Sequence, residues 1–354
     1  MDGQDTAPNP PVPMNVLAIC DMSVPADLMR DALARLGPRR LDVVEWACAN
    51  RRELHRRARR IERLGPDCEK PPDAIWPLVP QAELIVTHMC PIGTDLIRRA
   101  TKLRMIGVCR AGTENIASKL ASQRQIGVHN VTGRNAVAVA ELTVGLILAE
   151  CRNIARAHQS LATGGWRTGF VNSDQPGELA GKTVGLVGFG QIGKLVGRRL
   201  AAFDVRVLVQ DPLLPHRVIQ NAGATPVSLD RLLAESDFVS LHARYEPGPP
   251  PLVGTGELAL MKPTAYLINT ARAYLVDMDG LIDALSGHRI AGAALDVYDE
   301  EPLPADAALR RLDNVTLTPH LAGTTTEAFQ RSGHLLVDRI LNALETEAGQ
   351  SKTN

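Results

Sequence analysis

The chain of 354 residues holds no long apolar run, no cysteine pair at metal-binding spacing and no excess of either charge. Its most apolar stretch, Ala136 to Ala149, contains Glu141 and is shorter than the ~20 residues a bilayer crossing takes, so no membrane partner is expected. Lys and Arg number 39 against 39 Asp and Glu, which leaves no global field to draw in nucleic acid or an anionic surface. Cys20, Cys48, Cys68, Cys90, Cys109 and Cys151 form no Cys-x-x-Cys unit. They read as free thiols of a reducing cytosol, and no metal site is expected. The one basic concentration is Arg51 to Arg63, with seven arginines. Without interleaved aromatics it reads as a solvated helix face and not as a nucleic-acid patch. Met1 to Pro13 is acidic and proline-rich with no apolar core, and reads as a disordered tail rather than a signal peptide. A cytoplasmic protein is the working class.

What is present is a repeated alternation. Aliphatic runs at Met14–Cys20, Leu41–Ala47, Glu83–His88, Leu103–Cys109 and Ile126–Val131 alternate with stretches long enough for a helix. A second set follows at Thr183–Gly190, Val205–Asp211, Phe238–Ala243, Ala265–Ala271, Gly292–Val297 and Val315–His320. Continuous apolar runs of this kind indicate parallel strands covered on both faces. A single core stops growing at about 250–300 residues, so two such sets mean two α/β domains. The expected division is 14–130 with 324–354 as a substrate domain, and 131–323 inserted between its two parts. The expected fold class is two doubly wound parallel-sheet domains around a cleft, a Rossmann domain inserted into a flavodoxin-like one. Asn135 to Leu161 reads as one long helix capped by Asn135, and Thr324-x-x-Glu327 as a capping box that opens a closing helix. Residues 65–80, rich in proline, read as a long irregular loop.

Gly188, Gly190 and Gly193 stand in Gly-x-Gly-x-x-Gly spacing, after an apolar strand and before a helical run. In that context the first glycine makes the turn, the second lets a pyrophosphate approach and the third lets helix and strand pack. Asp211 ends the next strand, where a carboxylate accepts from ribose hydroxyls and repels a 2′-phosphate. NAD is therefore expected in preference to NADP. Three further polar residues fall at strand ends: Arg272, Glu301 and His320. An arginine fork binds a carboxylate and polarises a carbonyl, and a histidine raised by a carboxylate partner moves a proton near neutral pH. From spacing alone, each has an ordinary alternative as a surface arginine, a solvated carboxylate or a satisfied core histidine.

Arg134 to Thr325 resembles the NAD-dependent D-2-hydroxyacid dehydrogenase family. The likeness is carried by Asn135-Ala-Val-Ala-Val-Ala-Glu-Leu-Thr143, the glycine segment from Leu179, Ile268-Asn-Thr-Ala-Arg272, Gly292-Ala-Ala-Leu-Asp-Val297 and Leu317-Thr-Pro-His-Leu-Ala-Gly323. The resemblance implies that Arg272 holds the substrate carboxylate and that Glu301 pairs with His320, the general acid and base. It implies that Gln191 and Ile192 lie against the pyrophosphate, and that Thr270 and Ala271 lie against the nicotinamide half. Asp296 would bind the carboxamide, and the backbone N–H groups of Ala111 and Gly112 the substrate carboxylate. The implied substrate is a small 2-oxo or 2-hydroxy acid, and the implied assembly a homodimer. Two departures touch the pocket: Ala273-Tyr274 replaces the usual glycine after the arginine, and the loop Arg110–Ile116 is short. Arg244 is a candidate contact for an extra substrate group, with a surface arginine as the alternative. Trp166 is expected at the domain junction or in a core. A corepressor-like NAD-sensing protein without turnover is the alternative function.

Overall fold

The computed structural model describes residues 13–172, 177–243 and 250–351. The expected tail, apart from Pro13, and Arg244 lie outside the described residues. The chain divides into two compact units: residues up to Arg134 together with Thr326 onward, and Asn135–Thr325.

Unit 1 carries strands β1 (Asn15–Cys20), β2 (Arg40–Glu45), β3 (Leu84–Thr87), β4 (Met105–Val108) and β5 (Gly127–Asn130). They pair in parallel in the order β2-β1-β3-β4-β5, the flavodoxin-like order. β1, β3 and β4 are almost wholly buried, which is why their sequences are aliphatic without alternation. Around the sheet lie α1 (Ala26–Ala34), α2 (Arg51–Leu64), α3 (Thr94–Arg99) and α4 (Ser118–Gln123). The arginine run is α2. Its apolar residues Leu54, Ala58 and Ile61 face the core and most of the arginines face out, as a solvated helix face should. Arg57 does more: it stacks 3.8 Å over the Trp46 ring and pairs with Glu69, as does Arg60. These contacts fasten the proline-rich segment, which is a chain of short 3-10 turns with Ile75 and Val79 fully buried rather than an irregular loop.

The carboxyl edge of this sheet buries charge. Asp21, just past β1, accepts from the backbone N–H groups of Ser23, Val24 and Met89, and both its oxygens lie 3.0–3.1 Å from His88 Nδ1. Burial alone would raise Asp21, but His88 and those donors hold it below the usual carboxylate range. Burial keeps His88 low against the pull of Asp21. Arg134 is also buried, and burial brings its guanidinium down to about 10. Its stacking on Phe329 is worth about 2 kcal/mol, less than the several kcal/mol that burying a charge costs.

Unit 2 begins with α5 (Ala136–Arg152) and α6 (Ile154–Ala162). The single helix expected here is broken at Asn153, whose backbone is left-handed at φ 53 and whose buried Oδ1 accepts from Arg156. Asparagine tolerates that conformation because its side chain bonds locally. Asn135 makes no side-chain cap, also against expectation. Strands β6 (Thr183–Val187), β7 (Arg206–Gln210), β8 (Thr225–Pro226), β9 (Phe238–Leu241), β10 (Tyr266–Asn269), β11 (Gly292–Leu295) and β12 (Val315–Leu317) form a parallel sheet ordered β12-β11-β10-β9-β6-β7-β8. Counted from β6 this is the Rossmann order with one more strand at its end. α7 (Gln191–Leu200), α8 (His216–Asn221), α9 (Leu229–Glu235), α10 (Thr255–Leu260) and α11 (Met278–Ser286) connect them. α12 (Thr326–Ser351) then returns to unit 1 and buries Leu336, Val337 and Ile340 in its core. It starts one residue later than the capping box implies. Among the described residues no helix is long and apolar enough to cross a membrane, and no cluster suited to a metal occurs.

Candidate active site

β10, β11 and β12 are neighbours, and each delivers a polar residue just past its carboxyl end: Arg272, Asp296 and His320. Loops at this edge are where doubly wound sheets carry ligands. His320 has a left-handed backbone at φ 51, uncommon outside glycine. Its Nδ1 lies 2.9 and 2.8 Å from the two Glu301 oxygens. The Glu301 hydrogen bond raises His320 above the ordinary imidazole range, against its partial burial and the charge of Arg272. With Nδ1–H given to the carboxylate, Nε2 is the nitrogen left to exchange a proton. Glu301 is fixed in turn, because Oε1 also accepts from Tyr298 N–H.

Asp296 is fully buried and holds the histidine loop from within. Oδ1 accepts from Thr318 Oγ1 and Leu321 N–H, and Oδ2 accepts from Ala322 N–H. Two residues that sequence reasoning missed complete the frame. Asn269 closes the turn that presents Arg272, accepting from Ala271 N–H and donating to Arg272 O. Tyr298 donates to the carbonyls of Leu295 and Thr318, tying the ends of β11 and β12 together. Neither carries a spacing signal, since each acts through backbone groups known only once the strands are paired. Arg272 itself is exposed and touches Ala271 O through Nη1.

The glycine segment has the shape a dinucleotide needs. Gly188 has φ 94, and a Cβ there would stand 2.7 Å from Ala243 N. A Cβ on Gly193 would collide with Gly188 O. Gly190 differs: nothing lies within 4 Å of where its Cβ would be, and it precedes α7 without a side-chain cap. An uncapped helix start, with Gln191 exposed and Ile192 half-buried behind an open glycine, fits a pyrophosphate. Asp211 is held beside this turn, accepting from Phe189 N–H and Leu213 N–H. Thr270 is buried with its hydroxyl 2.8 Å from that of Thr143, and Ala271 is half-buried beside it.

In unit 1, Ala111 is exposed and Gly112 half-buried. Asn130 Nδ2 donates to Ala111 O, and the Glu114 carboxylate fills the space that a Cβ on Gly112 would take. Trp166 is not in a core: it is 84% exposed.

Residues 144–322 match the profile described as D-isomer specific 2-hydroxyacid dehydrogenase, NAD binding domain. The glyoxylate reductase of Thermofilum pendens is 40% identical over 269 residues, 74% of this chain and 78% of that protein. The D-3-phosphoglycerate dehydrogenase of Methanocaldococcus jannaschii is 37% identical over 273 residues, 77% of this chain and 51% of that protein. The chain thus spans about half the length of that relative. Among solved structures, an NAD-dependent formate dehydrogenase from Staphylococcus aureus in complex with NAD superposes with a TM-score of 0.66 at 27% identity, covering 94% of this chain and 96% of that one.

Proposed function

Given that the chain belongs to the D-isomer specific 2-hydroxyacid dehydrogenase family, we propose that it transfers a hydride between NAD(H) and C2 of a small 2-oxo or D-2-hydroxy acid. The observation that carries this reading is the Glu301–His320 pair, set beside Arg272 at three adjacent strand ends. The bound cofactor supplies or takes the hydride. His320, protonated, gives its Nε2 proton to the carbonyl oxygen in reduction and takes it back in oxidation. Arg272 binds the substrate carboxylate through its fork and polarises the carbonyl. Asp296 keeps the histidine loop in place, at the strand end where the carboxamide is proposed to bind. Carboxylate binding by the Ala111 and Gly112 N–H groups, and a reducing cytosolic setting for the free thiols, belong to the same proposal.

The test is NADH consumption, followed by absorbance, over a panel from glyoxylate and hydroxypyruvate to four- and five-carbon 2-oxo acids. Turnover on at least one member is expected. Tight NADH binding with no turnover on any of them overturns the reading in favour of an NAD-sensing protein.

Glu301→Gln is expected to move the pH limb of reduction downward. Reduction needs the protonated imidazole, so its rate falls as pH rises through the His320 pKa, and loss of the carboxylate lowers that pKa. The limb in oxidation moves the same way. The stability link has the matching sign: a raised histidine favours the fold at low pH and loses that contribution as pH climbs through its folded value. Superimposable pH–rate profiles would remove Glu301 from proton transfer.

The same reading includes a homodimer. Ile154, Leu161, Trp166 and Val171 are large apolar side chains left exposed on unit 2, and a second copy is the partner proposed to cover them. Trp166→Glu should convert a sedimenting dimer into a monomer at micromolar concentration. A parent that sediments as a monomer ends that proposal.

A further inference from the structure

At the carboxyl edge of the unit 1 sheet, one buried cation stands without a counter-charge. Arg134 follows β5, and among the described residues no carboxylate lies within ion-pair distance of it. Its Nη1 is buried without a hydrogen-bond partner. Two other enclosed arginines differ: Arg156 pairs with Glu150, and Arg110 is bracketed by Glu62 and Glu114. Buried charges kept for the fold alone are normally paired in this way. Of the charges that act on Arg134, Arg110 repels it, and Asp21 already accepts from three backbone N–H groups and His88.

The Arg134 guanidinium stacks 5.1 Å from the centre of the Phe329 ring, and the same ring meets His88 edge-on at 5.7 Å. His88 has given Nδ1 to Asp21, and its Nε2 is also buried without a partner. One aromatic ring therefore brings together a guanidinium and an imidazole nitrogen, both unsatisfied. Buried polar atoms in this condition call for an explanation, and a ligand with complementary groups supplies one.

We propose that Arg134 is the cationic centre of an oxyanion-binding site in unit 1. The site takes a carboxylate or phosphate group, while His88 Nε2 accepts from a hydroxyl of the same ligand. It goes beyond the reaction above, which uses neither residue. An arginine fork suits either anion, so the test has one arm for each. Phosphate near neutral pH offers an oxyanion together with a hydroxyl, and acetate offers the oxyanion alone.

The experiment follows the melting temperature of the full chain against inorganic phosphate and against acetate, with sodium chloride at equal ionic strength as baseline. The parent should gain several degrees with at least one anion, and which one identifies the source. Arg134→Met keeps the length and apolar stem without the charge. It should melt no lower than the parent in plain salt, and neither anion should shift it. Arg134→Lys, which keeps the charge without the fork, should show a smaller shift than the parent and guards against a methionine variant that fails to fold. A parent indifferent to both anions overturns the site, as does a full shift retained in either variant. A methionine variant that melts well below the parent in plain salt assigns the guanidinium to the fold and overturns it equally.

Discussion

His320→Asn is expected to lower the rate of 2-oxo acid reduction by about two to four orders of magnitude, the range that a positioned general acid contributes. NADH affinity should stay at the parental value. Asparagine is the informative replacement because His320 has φ 51, a conformation that costs most side chains energy and that asparagine accepts. Alanine would mix a backbone penalty with the loss of the imidazole. The loop should survive the change, since it is held from beneath by the three hydrogen bonds to Asp296 and not by the histidine. Stopped-flow absorbance with saturating NADH measures the rate, and titration calorimetry the binding. A variant that keeps more than a tenth of the parental rate would show that the proton comes from elsewhere. A variant that loses NADH binding along with turnover would move His320 from proton transfer to cofactor binding.

Arg156→Met is expected to produce the largest loss of stability. Arg156 Nη2 lies 2.9 Å from Glu150, Nη1 bonds to Asn153 and Nε bonds to Asp313 O, all within a nearly solvent-free pocket. Removing one partner of a buried pair typically costs about 3–5 kcal/mol, because the other charge is left uncompensated. For a unit of this size that is roughly 10 °C in Tm. The pH dependence follows from Glu150. Burial raises its carboxyl and Arg156 opposes the rise, so without Arg156 the folded value climbs further. A raised carboxyl favours the fold at low pH and loses that contribution as pH rises through the folded pKa. The deficit of the variant should therefore be larger at pH 8 than at pH 5. The double variant Glu150→Gln with Arg156→Met should recover most of the loss, since replacing both members of a buried pair is often near neutral. A single variant within a degree or two of the parent at both pH values would contradict this account.

Much of the architecture was legible because parallel strands covered on both faces must be written in aliphatic residues. Leu84-Ile-Val-Thr and Gly292-Ala-Ala-Leu leave little room for another reading. β8 escaped notice: two residues, one of them Pro226, carry no pattern. The break at Asn153 was hidden for a different reason. The helical periodicity runs on past it, and the left-handed turn is fixed by the buried Arg156 contact, which is tertiary. At the site, Arg272, Glu301 and His320 stood out through their motifs. The work of Asn269 and Tyr298 did not, because they bond to carbonyls and N–H groups that any sequence supplies. Arg134 gave no signal, since an arginine ahead of a helix is ordinary until its surroundings prove to be closed and without a carboxylate.

The return of α12 to unit 1 has a consequence for biosynthesis. Emerging from the ribosome, the chain presents β1 to β5 first, then the whole of Asn135–Thr325, and only afterwards the helix that brings Leu336, Val337 and Ile340 to the core of unit 1. The later segment holds all of its own strands and can mature while the earlier one waits. During that interval Met29, Leu33 and Val86, which share a core with α12 in the finished protein, lack their cover. Of the two, the segment translated earlier is thus the one completed later, and its nascent apolar face is where a ribosome-associated chaperone would be most needed.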